Sequence, residues 1–509
     1  MLERTRGRLE PVGTITKYYS FVDEKTRSIL NSLMKDSKNY FDFVGRLSAF
    51  VLENEVPLNL AFLAAVHAWW CRVEDFIDAI QDKYKDTPCI RPWAFYLYSM
   101  ERDQLWFHDS VVDAIEGSLD KSIADWMVVE LHILHAFFHY PLGEVPSILE
   151  PTRKAKAMID ANSLLTCYEP ALMTFEAYAK AAEEHLNESL VMVRKGKELA
   201  QKYDDPLYKY MNMLYEGNIL RCVSVHDSII LFEELYKLAE DLGVPVLISE
   251  VLNDSSIAFE TVGEYDLAIS CHAEIFEMAA GKYVTDTTYM LLSRLFNTLN
   301  DGVQALEWIN RGFECCGPVA SPPLYYYKAW SLALQDRTGE AEKLLETVYP
   351  MIMKAGVEVH LLNYYHISGV VELRKGNLLA ARERLTKAWE MAERIPRGTN
   401  QNRILLDLAR VEIALGGEST DDARAPVPGK WLSKVEDFAL EKELPGLRMY
   451  SALLKSEFYI KHSQFKDALE TLESALNITD SLGVKTLRSR ISSQIKEIGV
   501  LIADKRFLP

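Results

Sequence analysis

Residues 365–388 read YHISGVVELRKGNLLAARERLTKA, and this stretch decides the fold. Tyr365, Leu373, Leu378 and Leu385 recur at helical spacing. Small residues stand at Gly369, Ala381 and Ala388, where two antiparallel helices must approach closely. Gly376 lies between the two apolar-periodic segments, where a short inter-helix turn belongs. The pattern is that of one helical hairpin in a stacked array.

Working outward, the pattern recurs. The C-terminal copy is Ser456, Tyr459, Phe465, Ala468 and Ala475. Another is Ser256, Phe259, Gly263, Tyr265 and Ala268, with Ile275 in place of the last small residue. A third is Tyr325, Ala329, Asp336, Ala341 and Leu345, and a weaker one surrounds Ser293, Asn300 and Ala305. The small residues of the second helix, Ala268, Ala305, Ala341 and Ala381, are 37, 36 and 40 residues apart. From Ala381 to Ala468 is 87, which leaves room for one more hairpin. That hairpin is Arg403 to Gly416 followed by Trp431 to Leu440, around a Gly-, Asp-, Ser- and Pro-rich loop at 417–429. Glycines close the phrases ending at Gly243, Gly356 and Gly483, a C-cap signal.

Toward the N-terminus the copies blur. Ala79 and Ala114 are 35 apart, and Ala136, Gly143, Ala155 and Ala157 suit a further hairpin. The expected organisation is an N-terminal helical region, 1–165, of degenerate repeats, then a repeat array over 166–509. Atypical terminal repeats are common in such arrays; a separate helical domain ending near Asn162 is the alternative. Alternating Val, Ile and Thr runs bounded by tight turns, the mark of strands, are missing.

The spacing resembles the tetratricopeptide family. In that family a first helix carries an aromatic and then a small residue four positions on. A turn comes seven residues later, and a second helix carries alanines seven apart. Tyr365, Gly369, Gly376, Ala381 and Ala388 fall in those places. The family's proline after the second helix is mostly absent, although Pro396 is close to it. The long periods resemble the looser arrays attached to signalling ATPases and to maltose-regulator-type activators. The resemblance implies an all-α, right-handed solenoid of stacked helical hairpins, with a long surface in place of an enzyme pocket.

Composition agrees. A chain of 509 residues exceeds what one compact core serves, whereas a solenoid packs each repeat on its neighbours. The 74 acidic residues outnumber the 56 basic ones, giving a net charge of −18 that argues against wholesale nucleic-acid binding. The first residues, with Arg4, Arg6 and Arg8, have no apolar core, and no apolar run is long enough to span a bilayer. Seven scattered cysteines make no disulfide framework. A cytoplasmic, reduced chain is expected. Adjacent Cys315 and Cys316 read as helix-end fillers rather than a redox pair.

Catalytic chemistry is thin. The phosphate-binding glycine loops, the nucleophile elbow and the paired Cys-x-x-Cys are all missing. His132, His135 and His139 are spaced so that a helix sets them near one face, and Glu130 or His108 could complete a zinc shell. Their apolar neighbours Ile133, Leu134, Phe137 and Phe138 favour buried packing instead. The expectation is therefore no metal, no cofactor and no enzyme.

The resemblance also implies a binding face, the inner positions of each first helix. Carried over copy by copy, these are Arg294 and Asn297, Tyr326 and Trp330, Asn363, His366 and Arg374, and Arg403 and Arg410. Arginine and asparagine suit carboxylates and peptide backbone, and Tyr and Trp supply apolar anchors. The expected function is an interaction scaffold or adaptor that binds a protein or peptide segment in a concave groove. The alternative is a regulatory sensor that binds a small ligand or peptide and changes curvature.

Overall fold

Every regular element among the described residues of the computed structural model is helical. The description covers residues 15, 17–72, 74–84, 86–93, 108–119, 123–139, 145–183, 185–278, 284–316, 321–395, 401–416 and 429–503. The loop expected at 417–429 falls, except for Gly429, outside it, as do Arg4, Arg6, Arg8, Gly143 and Pro396. The chain forms two compact units. One consists of residues 1–220 and 230–251, the other of residues 221–229 and 252–509.

The first unit opens with a 3-10 turn, Lys17–Ser20, then α1 (Glu24–Asp36), α2 (Tyr40–Glu53), α3 (Leu58–Cys71), α4 (Glu74–Lys83) and α5 (His108–Leu119). Antiparallel pairs follow: α6 (Asp125–His139) with α7 (Val145–Ala161), α8 (Glu169–Ala182) with α9 (Leu186–Lys202), and α10 (Pro206–Val223) with α11 (Val225–Leu242). Helix α3 is apolar on all sides and buried almost throughout, from Leu60 to Trp69, which marks it as a core helix. The turn before α1 is pinned by charge. The Lys17 ammonium lies 2.9 Å from Asp205 Oδ2 and 3.9 Å from the centre of the Tyr208 ring. Next to it, the Tyr18 hydroxyl donates to Glu130 Oε1 at 2.5 Å. Burial weakens the Lys17 charge, but Asp205 and Glu130 more than restore it and hold its pKa above the ordinary lysine value.

The second unit is more regular. It contains the latter part of α12 (Pro245–Val262) with α13 (Tyr265–Glu277), then α14 (Asp286–Thr298) with α15 (Gly302–Cys316) and α16 (Pro322–Leu334) with α17 (Thr338–Ala355). Next come α18 (Glu358–Arg374) with α19 (Leu378–Arg394), α20 (Gln401–Leu415) with α21 (Lys430–Glu441), α22 (Pro445–Lys461) with α23 (Phe465–Ser481), and a last helix α24 (Lys485–Ala503). Each first helix ends on one left-handed residue: Gly263, Asn300, Asp336, Gly376, Gly416 and Ser463. After most of them the following N–H reaches back five residues, as from Asn377 to the Glu372 carbonyl at 2.9 Å. This recurring closure satisfies the carbonyls that the helix end would leave bare. Close approach also falls where the sequence places it. A Cβ on Gly369 would stand 2.6 Å from Leu385 Cγ of the paired helix, and Ala381 and Ala388 are fully buried.

The departure from expectation is the curvature. Hairpins of a solenoid touch their neighbours in order, yet here hairpins far apart in sequence meet. Arg403 of α20 pairs with Glu260 of α12, and the Tyr450 hydroxyl of α22 donates to the Thr298 carbonyl of α14 at 3.3 Å. Backbone touches backbone where Gly446 at the start of α22 faces Gly263. A Cβ on Gly446 would lie 2.5 Å from Gly263 Cα and 2.9 Å from the Val262 carbonyl oxygen. The inner face is therefore drawn together instead of laid open as a long groove. Gly446→Ala is expected to cost about 1–3 kcal/mol, as overpacking does, because backbone cannot step aside as a side-chain end can. Faster hydrogen exchange in the 259–265 turn, read by mass spectrometry, checks it.

Candidate functional site

The inner face is built from the first helix of each hairpin. At one end Glu260 gathers three partners. Arg294 Nη2 lies 2.7 Å from Glu260 Oε2, the Thr298 hydroxyl donates to Oε1 at 3.0 Å, and Arg403 Nη2 pairs with the same oxygen. Burial pushes the Glu260 carboxyl up, but the two guanidiniums outweigh that and hold its pKa below the ordinary carboxylate value. Further along, Asp407 of α20 accepts from His366 Nε2 of α18 at 2.8 Å and pairs with Arg410 at 2.5 Å. Burial raises the Asp407 carboxyl, and Arg410 and His366 bring it below its usual range. The Trp330 ring meets the His366 ring edge-on, with centres 5.4 Å apart.

Between these groups lies a cavity of about 360 Å³. Its walls come from α14, α16, α18, α20, α22 and α24. Trp330, Leu334, Val370, Leu373, Leu406, Leu453 and Leu454 make the apolar lining. The charged lining is Arg374, Arg403, Arg410 and Arg490 against Asp407 and Glu457. Arginines therefore outnumber carboxylates in the pocket, while the whole chain is strongly acidic.

Of the nine residues proposed from sequence, Asn297, Trp330, Arg374, Arg403 and Arg410 line this cavity. The other four do not. Arg294 is buried against Glu260, and His366 stands behind Asp407. Asn363 donates to the Tyr326 hydroxyl at 3.3 Å, and that hydroxyl also faces His360 Nδ1 at 3.4 Å, so Tyr326 and Asn363 hold each other inside the wall. A substitution at Arg403 disturbs an ion pair that is itself structural, so it is no clean probe of binding; Arg374, exposed, is one.

Several inward-facing residues escaped the sequence reading although its own register reaches them. The inward positions applied to the Ser456 copy give Tyr450, Leu453 and Glu457, and applied to the Ser256 copy give Glu260. Asp407 falls outside that register, and its signal is only its place between Arg403 and Arg410 on one helix. Arg490 lies on α24, beyond the last hairpin, where no repeat pattern points.

No protein-family model matches the chain, and neither does any curated protein. Solved structures do. The Rap conjugation gene regulator of the plasmid pLS20, in complex with the Phr peptide, is 16% identical, and the match spans 72% of this chain and all of that one, with a TM-score of 0.44. A Rap protein complexed with Competence and Sporulation Factor is 10% identical over 74% of this chain and 99% of that one, with a TM-score of 0.45. A signal-transduction ATPase with a tetratricopeptide-repeat sensor, from Pyrococcus horikoshii, is 14% identical over 72% of this chain and 52% of that one, with a TM-score of 0.35.

His132, His135 and His139 are all buried on α6. Burial pulls the first two down to about 4, so both are neutral at pH 7. Among the described residues no three His, Cys, Asp or Glu side chains are grouped to hold a metal. Cys315 is exposed, and the Cys316 side chain lies outside the described residues. No helix among the described residues is long and apolar enough to cross a membrane.

Proposed function

We propose that the chain is a non-enzymatic regulatory adaptor whose second unit captures a short peptide segment in the inner-face cavity. The observation that carries this reading is the cavity itself. It is walled by six helices, lined by apolar side chains together with four arginines, and its volume of about 360 Å³ sits at the small end for ligand pockets. Such a space admits a few residues of an extended chain and excludes a folded domain. The contacts between distant hairpins favour the sensor form of the function over the passive scaffold. A peptide in the cavity touches several hairpins at once, so its binding energy bears directly on their curvature. A cytoplasmic setting belongs to the same proposal, in keeping with the thiols of Cys71, Cys89, Cys167 and Cys271.

The test is selection from a displayed random peptide library, followed by melting of the full chain with the selected peptides. Bound peptide at 100 times its Kd is expected to add about 2.7 kcal/mol of stability. Leu373→Trp, which fills the cavity from its wall with apolar volume, is expected to abolish selection while leaving the helical content unchanged. Undiminished selection by that variant rules the cavity out.

A further inference from the structure

The charge inside the cavity is unevenly spent. Arg403 shares Glu260 with Arg294, and Arg410 faces Asp407. Arg374 and Arg490 remain. Among the described residues Arg374 meets only the side-chain oxygen of Asn300, at 3.0 Å, and neither it nor Arg490 is paired with a carboxylate. Both are exposed and both line the pocket. Glu457 is the one carboxylate of the lining beside Asp407. A surplus of guanidinium inside a chain of net charge −18 is a field that draws anions to this mouth rather than to the rest of the surface.

We infer that the cavity reads a carboxylate on the captured peptide, with Arg374 and Arg490 as the groups that bind it. The inference rests on the peptide reading above and deepens it. Guanidinium favours the planar, two-oxygen geometry of a carboxylate. The apolar lining favours the same class of ligand: Trp330, Leu334, Val370 and Leu453 offer a surface for an apolar side chain, so the anion arrives attached to an apolar body. A C-terminal carboxylate beside an apolar residue and a Glu or Asp side chain share this chemistry. The small volume, about 360 Å³, fits the first more simply, because a chain end needs no continuation beyond the pocket.

The experiment uses the full chain and three mixtures of N-acetylated tetrapeptides, each with random apolar residues at the other positions. One has a free C-terminal acid and no acidic side chain. One is amidated with a Glu in place, and one is amidated and neutral. Affinity is read by fluorescence competition, with inorganic phosphate as a separate competitor. The free-acid mixture is expected to bind about tenfold or more tighter than the neutral amide, the gain of a charge-assisted contact. Arg374→Gln and Arg490→Gln are each expected to remove most of that preference. Tighter binding of the Glu amide than of the free acid moves the carboxylate from chain end to side chain and keeps the arginine assignment. Equal binding of acid and neutral amide, unaffected by either variant, overturns the carboxylate inference and leaves the peptide reading standing. Binding of none of the mixtures overturns both. Displacement of the peptides by equimolar phosphate overturns the choice of carboxylate over phosphate.

Discussion

Glu260→Gln is expected to lower the stability of the second unit by about 3–5 kcal/mol, the range for breaking a buried ion pair by removing one partner. The reason is geometric. Glu260 is buried, and its two oxygens serve Arg294, Arg403 and Thr298 together. Glutamine keeps the shape but leaves two cations enclosed without an anion. Because Arg403 comes from α20, the change also loosens a contact between hairpins distant in sequence. Hydrogen exchange along α12, α14 and α20 localises the loss, which a single melting curve of a chain with two units does not. The acid limb gives an independent check. The folded pKa of Glu260 lies below its ordinary value of about 4.3. Its stabilisation is therefore complete above that ordinary value and is lost as pH falls through the depressed folded one. The gap between wild type and Glu260→Gln should accordingly be widest near neutrality and narrow below about pH 4. A gap that stays constant into acid means that the charge of Glu260 is not what holds the hairpins together.

Periodicity made the hairpins legible, and left-handed turn residues made their boundaries legible. Gly263, Asn300, Asp336 and Gly376 all sit at the turns where the spacing puts them, because each such turn needs a residue tolerant of positive φ. Gly369 and Ala381 mark close helix contacts for a reason the sequence states outright, the lack of room for a larger side chain. What the sequence withholds is how far the stack bends. Curvature is a sum of small rotations between neighbours, and no single residue in one repeat announces that α22 will return to α12. Gly446 is the exception only in retrospect, since a glycine in the first turn of a helix has many ordinary explanations. The same gap explains why inward-facing residues were found more readily than their roles. Arg294 and Arg403 have the register of ligand contacts, but Glu260 reaches both across the closed face and turns them into structure. Arg374, with the same register, meets only an amide and stays available.

Lys17→Met should destabilise the first unit on a similar scale, about 3–5 kcal/mol. Its side chain is 4% exposed and that of Asp205 is not exposed at all. The ammonium sits among the rings of Tyr208, Tyr168 and Tyr18, at 3.9, 5.2 and 5.1 Å from their centres, so cation–π attraction adds to the ion pair. Methionine fills much the same volume but leaves Asp205 and Glu130 buried together with no cation. Asp205 does a second task, which separates charge from structure. Its Oδ1 accepts from the Leu207 and Tyr208 amides at 3.1 Å each and so caps α10. Asparagine keeps that cap and removes the charge. Asp205→Asn alone strands the ammonium near Glu130, whereas the double variant Lys17→Met with Asp205→Asn loses the ammonium and one carboxylate together and leaves Glu130 with its Tyr18 hydrogen bond. A double-mutant cycle is therefore expected to show the double variant more stable than Lys17→Met alone, with a coupling of about 1–3 kcal/mol. Protection of residues 17–22 against hydrogen exchange should follow the same order, since the 3-10 turn is tied down through these groups. Equal stability of Lys17→Met and wild type would place the anchoring of this segment in the Tyr18–Glu130 hydrogen bond and in the ring contacts of Tyr18 with Trp126 and His67, with no net part for the charge.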